Sequence, residues 1–210
     1  MCENKVDKRA EIIDSNLMIF WGGVFKNYDK DEYIFQEGHR PLFYHQVIEG
    51  KIKMINETDE GKDFIQGFFS QGESFGEPPI FEGGEYPASE IAVQRSVIIR
   101  LSISSFIRLL KENFDIHWSI TKLLAGRIRR KTESLKEISF HPPEHRILSL
   151  LNNLKKEKFD TICPQKKVKI DYTRKQIADM TGLRVETVIR VMRNLYDKNI
   201  LIIERGKVFY

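Results

Sequence analysis

The chain has 210 residues, of which 41% are apolar and 30% charged, enough for one large domain or two small ones and unlike a disordered or collagen-like composition. The net charge of +4 conceals a gradient. Residues 1–110 hold 12 basic and 18 acidic side chains, residues 111–140 hold 7 and 4, and residues 141–210 hold 15 and 8, so only the last third suits a polyanionic partner.

The N-terminal stretch MCENKVDKRAEIID lacks the apolar core of a signal peptide, and runs such as NLMIFWGGVF are too short to span a bilayer. Cys2 and Cys163 lie far apart, so neither a zinc knuckle nor a disulfide framework is indicated. A reducing cytoplasm is the expected location.

From about Asp31 to Ser102 the pattern is β: short aromatic and β-branched runs, with Gly38, Gly50, Gly61, Gly72 and Gly76 recurring about a strand apart. Asp59-Glu60-Gly61 is read as a hairpin turn, and IAVQRSVIIRLS as two further strands. Ser104-Ser105 are read as the cap of a short helix ending at Glu112. Ile116, Ile120, Leu124, Ile128, Leu135 and Ile138 then recur at spacings of three, four and seven, placing one narrow apolar stripe on a helix of about 25 residues, roughly 37 Å long. Such a helix can pack on its own sheet and on a twin, which predicts a dimer helix, with a core helix of the single chain as the alternative.

HPPEH, His141 to His145, breaks that helix, and Pro142-Pro143 open the next with Glu144 in its first turn. No metal site is expected there: HExxH is absent, and the prolines are expected to spoil the i,i+4 geometry of a histidine pair. RILSLLNNLKKE reads as an amphipathic helix and KKVKI as a short strand. No nucleophile–base set or GxxxxGK loop occurs anywhere, so an enzyme is not expected.

The most informative segment is DYTRKQIADMTGLRVETVIRVMRNLYDKNILIIERGKVFY. Thr173 can cap a short helix, Gly182 permits a tight turn, and a second helix follows over about 185–196. Small Ala178 allows close approach, and Ile177, Leu183, Val188 and Val191 fall on inner faces, as a helix-turn-helix requires. ILIIERGKVFY adds a strand, an Arg205-Gly206 turn and a strand, which is a wing. The outward face of the second helix carries Arg184, Glu186, Thr187, Ile189, Arg190 and Arg193. Arginine can donate twice to guanine and glutamate can accept from cytosine, while Lys175, Arg193 and Lys207 suit phosphates. An i,i+4 Glu186–Arg190 surface pair is the plainer alternative. At the level of the whole chain, the competing reading is a sensor or interaction module with a basic tail and no sequence-specific readout.

The chain resembles the Crp/Fnr (catabolite activator/fumarate-nitrate regulator) superfamily of bacterial transcription regulators. The resemblance covers nearly its whole length and rests on VIEGKIKM, the GESFGE-to-EGGE stretch and TRKQIADMTGLRVETVIRVMRNL. It implies an α+β fold in three parts: a cyclic-nucleotide-binding-like β-roll (jelly roll) over 1–112, a dimerisation helix over 113–140 and a winged helix-turn-helix over 141–210. It also implies a homodimer on palindromic double-stranded DNA, contact with RNA polymerase and no membrane association. VETxxR matches the fumarate-nitrate branch, so a half-site of the TTG type is expected. Ile189 replaces that branch's common Ser, and Val185 stands where the catabolite activator branch has a further reading Arg.

The effector side departs more. Gly76 and Glu77 match the cyclic-nucleotide pocket. Its Arg-Ser pair is replaced by Pro87 and Ala88, and the Thr-Ser pair of the long helix by Lys131 and Thr132. Loss of the guanidinium removes a charge-assisted contact to phosphate and speaks against cyclic AMP. With only Cys2 near the N-terminus, an iron–sulfur cluster is not expected, while His39, His45 and His117 leave a haem open; the cofactor stays unknown. Lys131, on the apolar stripe, is read as reaching toward Glu77 or an anionic ligand, with a snorkelling surface lysine as the alternative.

Overall fold

The computed structural model of the chain describes residues 11–57, 63–158, 167–204 and 207–210. It divides into two compact units whose boundary falls between Arg127 and Ile128.

The first unit is β-rich. A short helix, α1 (Ser15–Phe20), capped by the Asp14 side chain, precedes the strands, where the sequence shows only an apolar run. The strands are β1 (Val24–Tyr28), β2 (Tyr33–Phe35), β3 (Phe43–Glu49), β4 (Lys51–Glu57), β5 (Asp63–Ser70), β6 (Ser74–Phe75), β7 (Ser89–Ala92) and β8 (Ser96–Ser102). They form two antiparallel four-stranded sheets, ordered β1-β8-β3-β6 and β2-β7-β4-β5. Inward-facing residues such as Val47, Ile52, Phe75, Ala92 and Ile98 pack in one core cluster, as the alternation of strand residues demands. The expected hairpin turn at Asp59-Glu60-Gly61 lies outside the described residues.

A one-turn helix, α2 (Pro78–Glu82), interrupts the strands, and α3 (Ile103–Glu112) follows them. The cap of α3 is Ser102, whose hydroxyl accepts from the Ser105 N–H at 3.2 Å; Ser104 and Ser105 already lie inside the helix. Helix α4 (Phe114–Phe140) has 27 residues, about 40 Å by its rise. Its apolar stripe serves two purposes. Ile120 is buried, and Ile116 and Leu124 pack against the first unit's core beside Leu109, Leu101 and Tyr44. Ile128 and Leu135 are 69% and 64% exposed. The side chain of Ile138 lies outside the described set.

In the second unit, α5 (Pro143–Lys158) opens at the second proline with Glu144 in its first turn. The remaining elements are β9 (Lys169–Ile170), α6 (Arg174–Thr181), α7 (Val185–Asp197), β10 (Ile202–Glu204) and β11 (Lys207–Phe209). The three strands form one sheet ordered β10-β11-β9, with Glu204 opposite Lys207 across the wing. The expected wing turn at Arg205-Gly206 lies outside the described residues. Ile147, Leu151, Ile177, Val188, Met192 and Leu195 make the buried core of the helices. Among the described residues no helix is long and apolar enough to cross a membrane.

Candidate functional site

The helix-turn-helix is built from local chemistry. The Thr173 hydroxyl accepts from the Gln176 N–H at 3.1 Å, and the Gln176 side chain accepts from the Thr173 N–H at 2.9 Å, a reciprocal capping box that starts α6. Gly182 ends α6 at φ 64°, ψ 31°. A Cβ there would meet nothing within 4 Å, so its requirement is conformational and not spatial. Leu183 N–H donates to the Ala178 carbonyl at 3.0 Å and closes the turn. Val188, Val191, Met192 and Leu195 bury one face of α7.

The opposite face is open. Glu186, Ile189, Arg190 and Arg193 are exposed, Thr187 is half-buried, and Arg184 is exposed at the start of the helix. Among the described residues Arg184, Glu186, Arg190 and Arg193 make no ion pair or side-chain hydrogen bond. The plain Glu186–Arg190 surface pair is therefore not formed. Thr173 and Lys175 are exposed at the start of α6, and Lys207 is exposed on the wing. Arg174 beside them is partly buried, which lowers its pKa.

Within the first unit, Gly76 and Glu77 lie where β6 gives way to α2. Gly76 has φ +75°, and a Cβ would stand 2.9 Å from the Phe35 ring and 3.2 Å from Tyr86. Those two rings stack at 3.6 Å between centroids, so both conformation and space demand glycine. Glu77 is fully buried. Its carboxylate accepts from the Ser74 hydroxyl and, at 2.8 Å, from Arg127 Nη1; Arg127 Nη2 also donates to the Ser74 carbonyl. The Arg127 guanidinium lies 5.2 Å from the Phe69 ring centroid. The partner of Glu77 is thus an arginine the sequence reading did not consider. It lies fifty positions away, and no local spacing points to it. Nearby Tyr44 has its pKa raised by burial and then by the charge of Glu77.

Pro87 is exposed, with its carbonyl accepting from Asn56 Nδ2 at 2.7 Å, and Ala88 is buried. Neither offers a side-chain donor. Lys131 and Thr132 are exposed on α4, and the Thr132 hydroxyl donates back to the Ile128 carbonyl at 3.0 Å. A shallow surface cavity of about 540 Å³ opens past the end of α2, lined by Arg40, Pro41, Pro79, Gly83, Gly84 and Glu85. It includes neither Glu77 nor Arg127. Of the histidines that left a haem open, His39 and His117 are exposed, while His45 is buried against Phe75 and Phe35.

The histidines of HPPEH depart from expectation. His141 and His145 stack with ring centroids 4.0 Å apart, and His145 Nδ1 lies 2.7 Å from Glu137 Oε2. The prolines do not spoil the spacing. Only His141 and Pro142 separate the two helices; the His141 N–H donates to the Glu137 carbonyl at the end of α4, and the Arg146 N–H donates to the Pro142 carbonyl at the start of α5, each at 3.2 Å. Among the described residues Glu137, His141 and His145 form a group able to hold a metal ion.

Two family models match the chain: a cyclic nucleotide-binding domain over residues 25–113 and a Crp-like helix-turn-helix domain over residues 145–209. The chain is 25% identical over 175 residues to the cAMP-activated global transcriptional regulator CRP of Salmonella typhimurium, covering 83% of each chain. It is 29% identical over 161 residues to that of Haemophilus influenzae, covering 76% of this chain and 70% of the relative. In fold it is similar to the c-di-GMP-responsive regulator CLP of Xanthomonas campestris, with a TM-score of 0.76, 21% identity, and 92% and 98% of the two chains covered. It is also similar to FixK2 of Bradyrhizobium japonicum, with a TM-score of 0.75, 19% identity, and 89% and 91% covered.

Proposed function

Because the chain belongs to the Crp/Fnr superfamily of DNA-binding transcription regulators, we propose that it acts in the cytoplasm as a homodimer that reads a palindromic promoter site through α7. The observation that carries this reading is the face of α7 on which Glu186, Arg190 and Arg193 stand exposed with no partner among the described residues. Arg190 has the reach and donors for guanine, and Glu186 one turn earlier can accept from cytosine N4, which fits a TTG-type half-site. Ile189, 51% exposed, can meet a thymine methyl. Lys175 and Lys207 supply phosphate contacts that hold register. Two copies related by a twofold axis place two half-sites about 34 Å apart. RNA polymerase is the further partner expected of such a regulator.

The dimer reading is supported by Ile128 and Leu135, exposed one helical stripe beyond residues that fill the chain's own core. The effector reading is that cyclic AMP does not act on this chain as it does on its cAMP-activated relatives. Pro87 and Ala88 lack the side-chain donors a cyclic phosphate needs, and both terminal nitrogens of Arg127 already donate to Glu77 and Ser74.

Selection from a random duplex pool at fixed salt tests the main claim, with an expected enrichment of a twofold-symmetric site. A flat pool, or enrichment without symmetry, would favour the basic-tail module instead. Cyclic AMP is expected to leave the affinity for that site unchanged, and a tenfold rise on its addition would overturn the effector reading.

A further inference from the structure

Beyond the DNA-reading face and the β-roll, one cluster has chemistry that gene regulation through α7 does not use. Glu137 closes the last turn of α4, His141 sits in the two-residue break, and His145 lies in the first turn of α5. Their spacing is four and four, and all three converge on one side of the elbow. Their ligand-capable atoms lie within 4.8 Å of one another. Ligands on one zinc-class ion at about 2.0–2.2 Å stand roughly 3.3–3.5 Å apart. The side chains of His145 and Glu137 are 49% and 28% exposed, which leaves them room to turn toward a shared ion.

The surroundings also suit a metal. Arg146 Nε donates to the His141 carbonyl at 2.9 Å and fixes the backbone of the middle ligand. The Glu137 carboxylate already meets His145 Nδ1 at 2.7 Å across the break. Two imidazoles and one carboxylate form a borderline donor set that favours zinc, cobalt, nickel or copper over calcium or magnesium.

We infer that Glu137, His141 and His145 form a three-ligand site for a divalent transition-metal ion of the zinc class, which ties the end of α4 to the start of α5. Such an ion replaces the His145–Glu137 hydrogen bond with two coordinate bonds and adds His141 as the third.

The test is optical titration of the full-length, tag-free, chelator-treated protein with Co²⁺, followed by competition with Zn²⁺. The expected result is a d–d band that saturates at one equivalent per chain and is displaced by Zn²⁺. Glu137→Gln, His141→Ala and His145→Ala are each expected to weaken it roughly tenfold or more. His145→Cys guards against loss of the site through loss of the elbow: it is expected to bind Co²⁺ and to add a sulfur-to-cobalt charge-transfer band that the parent lacks. No band at stoichiometric Co²⁺, or a band undiminished in any one of the three substitutions, overturns the assignment. So does a Cys variant without the thiolate band.

Discussion

In the β-roll the conspicuous carboxylate, Glu77, is buried and met from within the chain by Ser74 and Arg127. In the winged helix Glu186 and Arg190 stand in solvent, and nothing in the described chain meets them. The same pair of residue types therefore does two kinds of work. Paired and buried, glutamate and arginine fix a fold, because a lone buried charge is costly. Exposed on a rigid helix, they remain available to a partner, and a duplex offers the donors and acceptors the chain withholds.

The sharpest way to break this contrast is to remove the arginine from the buried pair. Arg127→Ala is expected to destabilise the full chain by about 3–5 kcal/mol in urea unfolding, because Glu77 is left buried without its cation. Glu77→Gln with Arg127→Met together is expected to recover much of that loss. A double variant as unstable as the single would mean that the pair does not hold this part of the fold.

The next largest effect is a pH dependence in the same unit. Burial, then the positive charges of Arg100 and Lys26, lower the pKa of His45 from 6.5 to about 3. As pH falls, the unfolded chain therefore takes up this proton before the folded one does. The contribution is fully present above pH 6.5 and is lost as pH falls toward 3, roughly 3 kcal/mol of it by pH 4. His45→Phe keeps the ring stacked on Phe75 and is expected to flatten the acid limb of the unfolding midpoint between pH 7 and 4. An unchanged acid limb would mean that other groups govern it.

On the exposed side, Arg190→Ala is expected to cost about 1–3 kcal/mol of specific binding and to relax preference at one base pair per half-site, read by anisotropy at constant salt. Lys207→Ala is expected to weaken all sequences alike and to reduce the salt slope by about one. Equal losses on specific and random duplex for Arg190→Ala would place it among the phosphate contacts. The smallest effect is at the cap: Thr173→Ala is expected to lower stability by about 1 kcal/mol, whereas Thr173→Ser is expected to spare it.

How much of this was legible in the sequence follows the range of the interactions. The helix-turn-helix was readable because its determinants are neighbours: the Thr173–Gln176 box, the positive φ at Gly182 and the period of Val188, Val191 and Leu195 all lie within a few positions. The strands from β2 onward were readable from their glycine punctuation, whereas β1 lies before the Asp31 at which that pattern begins and the five-residue α2 within it was not anticipated. Helix α1 was missed because six residues leave too short a period to recognise. The cap of α3 was misplaced by two positions because three serines, 102, 104 and 105, compete for it, and only backbone geometry distinguishes them. Arg127 could not be found, since it reaches Glu77 through the fold and not along the chain. At HPPEH the two prolines suggested disorder of phase; a proline in the first turn of a helix instead sacrifices only an N–H that has no partner there.

The shortness of the join between α4 and α5 gives the connection an unusual intolerance. Loops between helices ordinarily absorb a residue more or less with little consequence. Here the Arg146 Nε bond to the His141 carbonyl and the His145–Glu137 contact both depend on a join of only two residues, His141 and Pro142. A single insertion between Phe140 and Pro143 is therefore expected to cost both contacts at once and to cost the cluster its convergence.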